Sequence, residues 1–219
     1  SNVQVTAPNG SLLTIASKEY IVDRTLFDSY FVQKAVDAGA VLHMGCRFTG
    51  LTEGFLTFKT LFGIQKIKKE ILVGADGANS SVAKLINARE RHYCVGIQAR
   101  VRGTFDPSMY SVYFGDKVSS GFFAWVVPES SEIARVGLKG TNKNFEGFLA
   151  RFGYTKIEMQ AGPIPIYDPS YVTEKDGIYL VGDAALQVKA TTAGGLIPGL
   201  KAAECLADAL SSGGSYEKR

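Results

Sequence analysis

Two segments of one construction constrain the fold most: Ile71-Leu72-Val73-Gly74-Ala75-Asp76-Gly77 and Ile178-Tyr179-Leu180-Val181-Gly182-Asp183-Ala184. Each opens on a short run of consecutive apolar residues, the pattern of a strand covered on both faces in a parallel sheet. Each delivers a glycine and an aspartate at its carboxyl end, and open α/β sheets bind ligands beyond those ends. Between the two segments the period changes. Val95, Ile97, Ala99 and Val101 alternate with Gly96, Gln98, Arg100 and Arg102, as in a strand with one covered face. Shorter runs at 110–114, 121–127 and 133–138 continue the pattern. Residues 157–166, broken by Pro163 and Pro165, read as an edge strand. The expected class is α/β (α+β by content): parallel-sheet material over 1–91, an antiparallel insert over 92–167, and a returning strand and helix over 168–219.

Asn9-Gly10 between apolar runs predicts a hairpin. Asp23 is placed to cap a helix whose Phe27, Phe31, Ala35 and Ala38 recur at helical spacing, and Gly39 suits its end. Residues 41–48 read as a strand, and 51–74 as a second hairpin turning at Leu61-Phe62-Gly63. Asn79-Ser80-Ser81 caps a short helix through Ile86. Gly194-Gly195 opens a helix with Leu200, Ala203, Ala207 and Leu210 along one face.

Composition narrows the chemistry. Charges nearly balance, with 24 Lys+Arg against 21 Asp+Glu, which argues against a nucleic-acid partner. Three widely spaced cysteines fit neither a disulfide framework nor a zinc site and agree with a reducing, cytoplasmic compartment. His43 and His92 have no metal spacing and read as surface or strand residues, so no metal is expected. Cys94 and Cys205 read as small core hydrophobes, and Lys66, Lys68 and Lys69 as a solvated strand edge. The aspartates admit two readings. Each can cap the helix that follows, or accept hydrogen bonds from the hydroxyls of a ligand brought close by the neighbouring glycines. Arg24 at a helix start opposes the macrodipole, as an arginine that meets an anion would.

The motifs resemble those of a known family. GADGANSSV at 74–82 resembles the Asp-Gly motif of flavoprotein monooxygenase-like enzymes, and 177–210, from GIYLVGDAALQ to LADAL, resembles their second flavin motif. YIVDRTLFDSYFVQKAVDAGA resembles the arginine-bearing helix start. SGFFAWVVPESSEIARVGLKG is similar to the substrate-sheet motif of the geranylgeranyl reductase branch, with Val127 where an aromatic residue precedes the proline. The resemblance covers about residues 15–219. It implies an FAD-binding Rossmann-like domain of the para-hydroxybenzoate hydroxylase type, lacking its N-terminal GxGxxG segment, with an inserted antiparallel substrate domain. It implies Asp183 on the ribityl chain, Gly194, Gly195 and Leu196 at the isoalloxazine ring, Asp76 and Gly77 along the ribityl–pyrophosphate stretch, and Arg24 and Phe48 toward the nucleotide. Tyr113, Phe123 and Trp125 would line an apolar tunnel.

The activity implied is reduction of double bonds in geranylgeranyl chains for membrane-lipid or isoprenoid synthesis. The substrate is a polyprenyl lipid, which suggests peripheral membrane contact. The electron donor stays open between NAD(P)H and ferredoxin, and the proton donor among tyrosine, cysteine and water. The alternatives are an FAD-dependent aromatic hydroxylase on the same fold and an inactive remnant that binds lipid or a partner. Leu186, Ala190 and Ala193 depart from the family's usual Gly, Pro and Gly. The absent GxGxxG leads us to expect an incomplete polypeptide.

Overall fold

The computed structural model describes residues 2–17, 20–87 and 91–217. In chain order the elements are β1 (Asn2–Thr6), β2 (Leu12–Ala16), α1 (Arg24–Asp37), β3 (Arg47–Thr52), β4 (Phe55–Thr60), β5 (Gly63–Lys68), β6 (Leu72–Gly74), α2 (Ala83–Ile86), β7 (Tyr93–Arg102), β8 (Met109–Phe114), β9 (Phe123–Pro128), β10 (Ile133–Lys139), α3 (Asn142–Ala150), β11 (Thr155–Pro165), β12 (Glu174–Lys175), β13 (Ile178–Leu180) and α4 (Leu196–Ser212), with a 3-10 turn over Gly182–Ala185. They form two compact units, residues 1–18 with 73–219, and residues 19–72.

The larger unit is built on a seven-stranded sheet in the order β11-β7-β10-β9-β8-β1-β2. The alternation read from the sequence decides its covered face. Ile97, Ala99 and Val101 of β7, Ala124 and Val126 of β9, and Ala134, Val136 and Leu138 of β10 are all buried, packed with Phe145, Phe148 and Leu149 of α3. Thr141 caps α3 in a reciprocal capping box with Asn144. The proline-broken β11 lies at one edge, as a strand with missing donors should. The predicted β1–β2 hairpin forms, with Gly10 at φ +86° in its loop. Its partner is unexpected. β1 pairs with β8 in parallel, Val3 opposite Tyr110 and Val5 opposite Val112. The first strands therefore extend the middle sheet, which is mixed rather than purely antiparallel. Strand periodicity identifies a strand, and only register with a distant partner decides which sheet it joins.

A second sheet of this unit has the order β12-β13-β6. Of the run expected to be covered on both faces, Gly74 is buried while Ile71 and Val73 stay exposed, because β6 is an edge strand. Gly74 has no room for a side chain. A Cβ there would lie 2.7 Å from Val82 Cβ and 2.9 Å from Leu180 Cδ2. α4 packs on this region through Ala202, Cys205, Leu206 and Ala209. That stripe is turned from the one expected, since Ala203, Ala207 and Leu210 are exposed.

In the smaller unit Asp23 caps α1, its carboxylate accepting from the N–H groups of Thr25 (2.8 Å) and Leu26 (3.2 Å). Gly39 follows the helix at φ +99°. α1 has no buried residue. The strand expected over 41–48 is not formed there. Gly45 turns the chain at φ +67°, and the strand begins at Arg47, where pairing with β4 becomes available. The β4–β5 hairpin turns at Leu61-Phe62 as expected.

Candidate functional site

The two Gly-Asp strand ends emerge side by side. Val181 N–H, just after β13, donates to the carbonyl of Gly74 at the end of β6 (3.0 Å). Asp76 and Asp183 each lie two residues beyond that bond.

Their carboxylates have different employment. Asp76 accepts from Ser80 Oγ, from Ser81 N–H (2.7 Å) and from Val82 N–H (3.3 Å), so both of its oxygens serve the turn leading into α2. Ser80 is fully buried, and its hydroxyl also accepts from Ala83 N–H (2.8 Å). This aspartate thus fixes the turn between β6 and α2. Gly77, at φ +75°, makes the reversal that brings Ser80 back to Asp76. The outside of the loop is held by residues that no motif pointed to. The Arg91 guanidinium donates to the carbonyls of Ala78 (2.9 Å) and Ser80 (3.1 Å), and Tyr93 Oη donates to Ala78 O (2.7 Å).

Asp183 lies in the 3-10 turn after β13 and meets the start of α4. A Cβ built on Gly195 would lie 2.5 Å from Asp183 Oδ1 and 3.3 Å from Val188 Cγ1. Twelve positions of chain thus fold back to put a carboxylate against a helix N-terminus. The terminus it meets is the positive end of a 17-residue helix. What a side chain here would first meet is the movable end of the Asp183 carboxylate. At Gly199 a Cβ would sit 3.3 Å from Gly182 Cα, a tight approach of backbone to helix. The hairpin of chain between is tied from behind. Gly182 N–H donates to Gln187 Oε1 (2.7 Å), and Gln187 Nε2 donates to Tyr216 Oη (2.6 Å). Burial pushes the Tyr216 phenol up, opposed by its Gln187 bond, so it stays protonated. Gln187 carried no sequence signal beyond being a polar residue inside an apolar stretch.

The aromatic residues divide. In the β8–β9 register Tyr113 pairs with Ala124, whereas Phe123 pairs with Phe114 and Trp125 with Val112. Directly paired residues share a face, so Tyr113 lies on the α3 side. There its ring packs edge-on to Phe148 (5.3 Å) and Phe152 (5.4 Å). The expectation that it lines one tunnel with Phe123 and Trp125 is corrected by this parity. Phe123 and Trp125 do meet, centroids 6.1 Å apart, on the opposite face with Phe114. The indole lies across β10 over Gly137 and reaches β7, where Nε1 donates to Gln98 Oε1 (2.9 Å). Val3, Val5, Leu13 and Ile15 extend this face as an apolar strip.

Arg24 and Phe48 belong to the smaller unit. Arg24 forms a bidentate pair with Asp28 one turn along (Nε–Oδ1 and Nη2–Oδ2 both 3.0 Å), which offsets the dipole misfit noted in the sequence. Phe48 is at the start of its strand rather than the end, edge-on to Phe58 (5.7 Å). Among the described residues no cluster of His, Cys, Asp or Glu could hold a metal ion. No helix among them is long and apolar enough to cross a membrane.

No protein-family model matches the chain. It is 32% identical to digeranylgeranylglycerophospholipid reductase 1 of Methanopyrus kandleri, over 86% of this chain and 57% of that protein. It is 30% identical to digeranylgeranylglycerophospholipid reductase 1 of Methanococcoides burtonii, over 100% and 61%. The chain is thus similar in sequence to digeranylgeranylglycerophospholipid reductases. It spans about three fifths of the length of the curated relatives it matches. Among solved structures, a geranylgeranyl bacteriochlorophyll reductase-like protein from Thermoplasma acidophilum superposes with a TM-score of 0.74 at 19% identity, over 97% of this chain and 62% of that one. Aklavinone-11 hydroxylase, solved with FAD and aklavinone, gives 0.66 at 13%, over 96% and 49%. The chain therefore shares the α/β fold of these two proteins.

Two of the loop departures have a conformational cost. Leu186 and Ala193 adopt φ +56° and +54°, a region that disfavours any side chain by roughly 1–2 kcal/mol. Leu186 is 1% exposed, so burial offsets its strain. Ala193 has no such return. Ala193→Gly is expected to raise stability by about 0.5–1 kcal/mol, read as a higher denaturant midpoint at unchanged m.

Proposed function

We propose that the protein is an FAD-dependent oxidoreductase that reduces double bonds of geranylgeranyl chains. The observation that carries this reading is the Asp183 carboxylate set against Gly195 at the start of α4. The donor set suits a flavin. Asp183 would accept hydrogen bonds from ribityl hydroxyls, each contributing roughly 1.5–3 kcal/mol. The Gly195 and Leu196 N–H groups would donate to the electron-rich pyrimidine end of the ring, with the helix dipole behind them. Gly194 leaves the approach to the ring unobstructed. Asp76 and Gly77 act one step back, by fixing the turn that lies along the pyrophosphate side. A bound flavin would supply hydride to the isolated double bond; the protein supplies orientation and a dry surface. That surface is the apolar strip with Phe123 and Trp125. Contact with the membrane that stores such a lipid, in a cytoplasmic setting, belongs to the same reading.

Trp125 is the sole tryptophan, so the chain carries its own reporter. Adding FAD should quench flavin fluorescence in a saturable way, and adding a geranylgeranyl lipid should shift Trp125 emission. Reduced flavin under anaerobic conditions should then yield saturated prenyl product. Oxygen-dependent hydroxylation would assign the protein to the hydroxylases instead. Failure to take up FAD at any concentration would leave only a lipid- or partner-binding remnant.

A further inference from the structure

The small unit carries a surface that flavin chemistry does not use. β3, β4 and β5 pair so that Arg47 stands opposite Lys59, Thr57 opposite Lys66 and Phe55 opposite Lys68. Alternation puts Arg47, Lys59, Lys66 and Lys68 on one face, with Ile64 (73% exposed) among them. None of the four cations enters an ion pair among the described residues. The hairpin that ends this face presents Leu61 and Phe62, 89% and 96% exposed. The tip is tied. Thr60 Oγ1 donates to Gly63 O (2.9 Å) and accepts from Phe62 N–H (3.1 Å). Two large apolar side chains are thus fixed outward in a turn where polar residues would serve better.

We propose that this hairpin is the element by which the protein docks on an anionic lipid surface. Leu61 and Phe62 enter the headgroup boundary while the four cations lie over acidic headgroups. The combination selects this occupant. A second copy of the same face would set cations against cations, and a nucleic acid would leave the tip in water. The proposal deepens the reading above and rests on it only for the reason a lipid surface is met. Its test needs neither flavin nor turnover, so the two can fail separately.

The full chain is sedimented with vesicles of phosphatidylcholine alone and of phosphatidylcholine with phosphatidylglycerol. Binding to the anionic vesicles, weakened by salt, is expected, with little binding to the neutral ones. The Leu61→Ser, Phe62→Ser double variant should lose at least tenfold in partition. The Lys59→Gln, Lys66→Gln, Lys68→Gln variant should lose a similar factor and most of the salt dependence. All five positions lie at the surface, and unchanged circular dichroism and melting would show that the variants fold. Vesicle binding that the tip variant leaves intact overturns the proposal. So does absence of vesicle binding, including the case where the tip instead drives self-association in the ultracentrifuge.

Discussion

Gly195→Ala should weaken flavin binding by about ten- to a hundredfold while barely changing stability. The added methyl would meet Asp183 Oδ1 at 2.5 Å. That atom is the free end of a rotatable side chain, so the fold yields by swinging the carboxylate away rather than by shifting backbone. The cost therefore falls on the ligand that the carboxylate would hold. Asp183→Ala should lose a comparable factor by removing the acceptor outright. The two changes act on one interaction, so the double variant should be little worse than either alone. In a double-mutant cycle that appears as a coupling energy of about 1.5–3 kcal/mol. Additive losses would mean that the two residues touch the ligand independently. No loss in either variant would mean that the flavin, if bound, lies elsewhere.

What the sequence shows and what it hides divide along physical lines. Elements whose evidence is local are legible: the Asn9-Gly10 hairpin, the Asp23 cap, the buried alternation of Ile97, Ala99 and Val101, and the edge position of the strand with Pro163 and Pro165. The pairing of Asp183 with Gly195 is legible too, because a strand end, a short loop and a helix start leave few ways to close. Parity and docking are not. Tyr113 and Trp125 both sit in alternating strands, but which faces they take relative to each other depends on register across the β8–β9 connection. α4 has two apolar stripes, and the one that is buried is chosen by the contact of Gly199 with Gly182. Asp76 and Asp183 look alike in sequence. Ser80 and Ser81 give the first a turn of its own to hold. Arg91, Tyr93 and Gln187 are invisible because their partners are backbone carbonyls and N–H groups, which every sequence supplies.

Gly137 is where the sheet and the proposed prenyl surface depend on one absent side chain. β10 is central in the seven-stranded sheet, bonded to β7 and β9 on its two sides. A Cβ at 137 would overlap the Trp125 ring, lying 2.5 Å from Cε2, and would stand 2.8 Å from the backbone oxygen of Ile97. The backbone of an interior strand cannot give way, so the indole must leave. It would lose its bond to Gln98 and its contact along the sheet. Gly137→Val is expected to cost about 3–5 kcal/mol, combining overpacking with a broken, partly buried hydrogen bond. In a chain of this length that is a fall of roughly 8–15 °C in melting temperature. Trp125 emission should move to the red as the ring enters water. Trp125→Ala combined with Gly137→Val should recover part of the lost stability, because the larger clash is then gone and only the one with Ile97 O remains. If the double variant melts no higher than Gly137→Val alone, the strain lies in the strand itself. The indole would then be only a bystander to that strain.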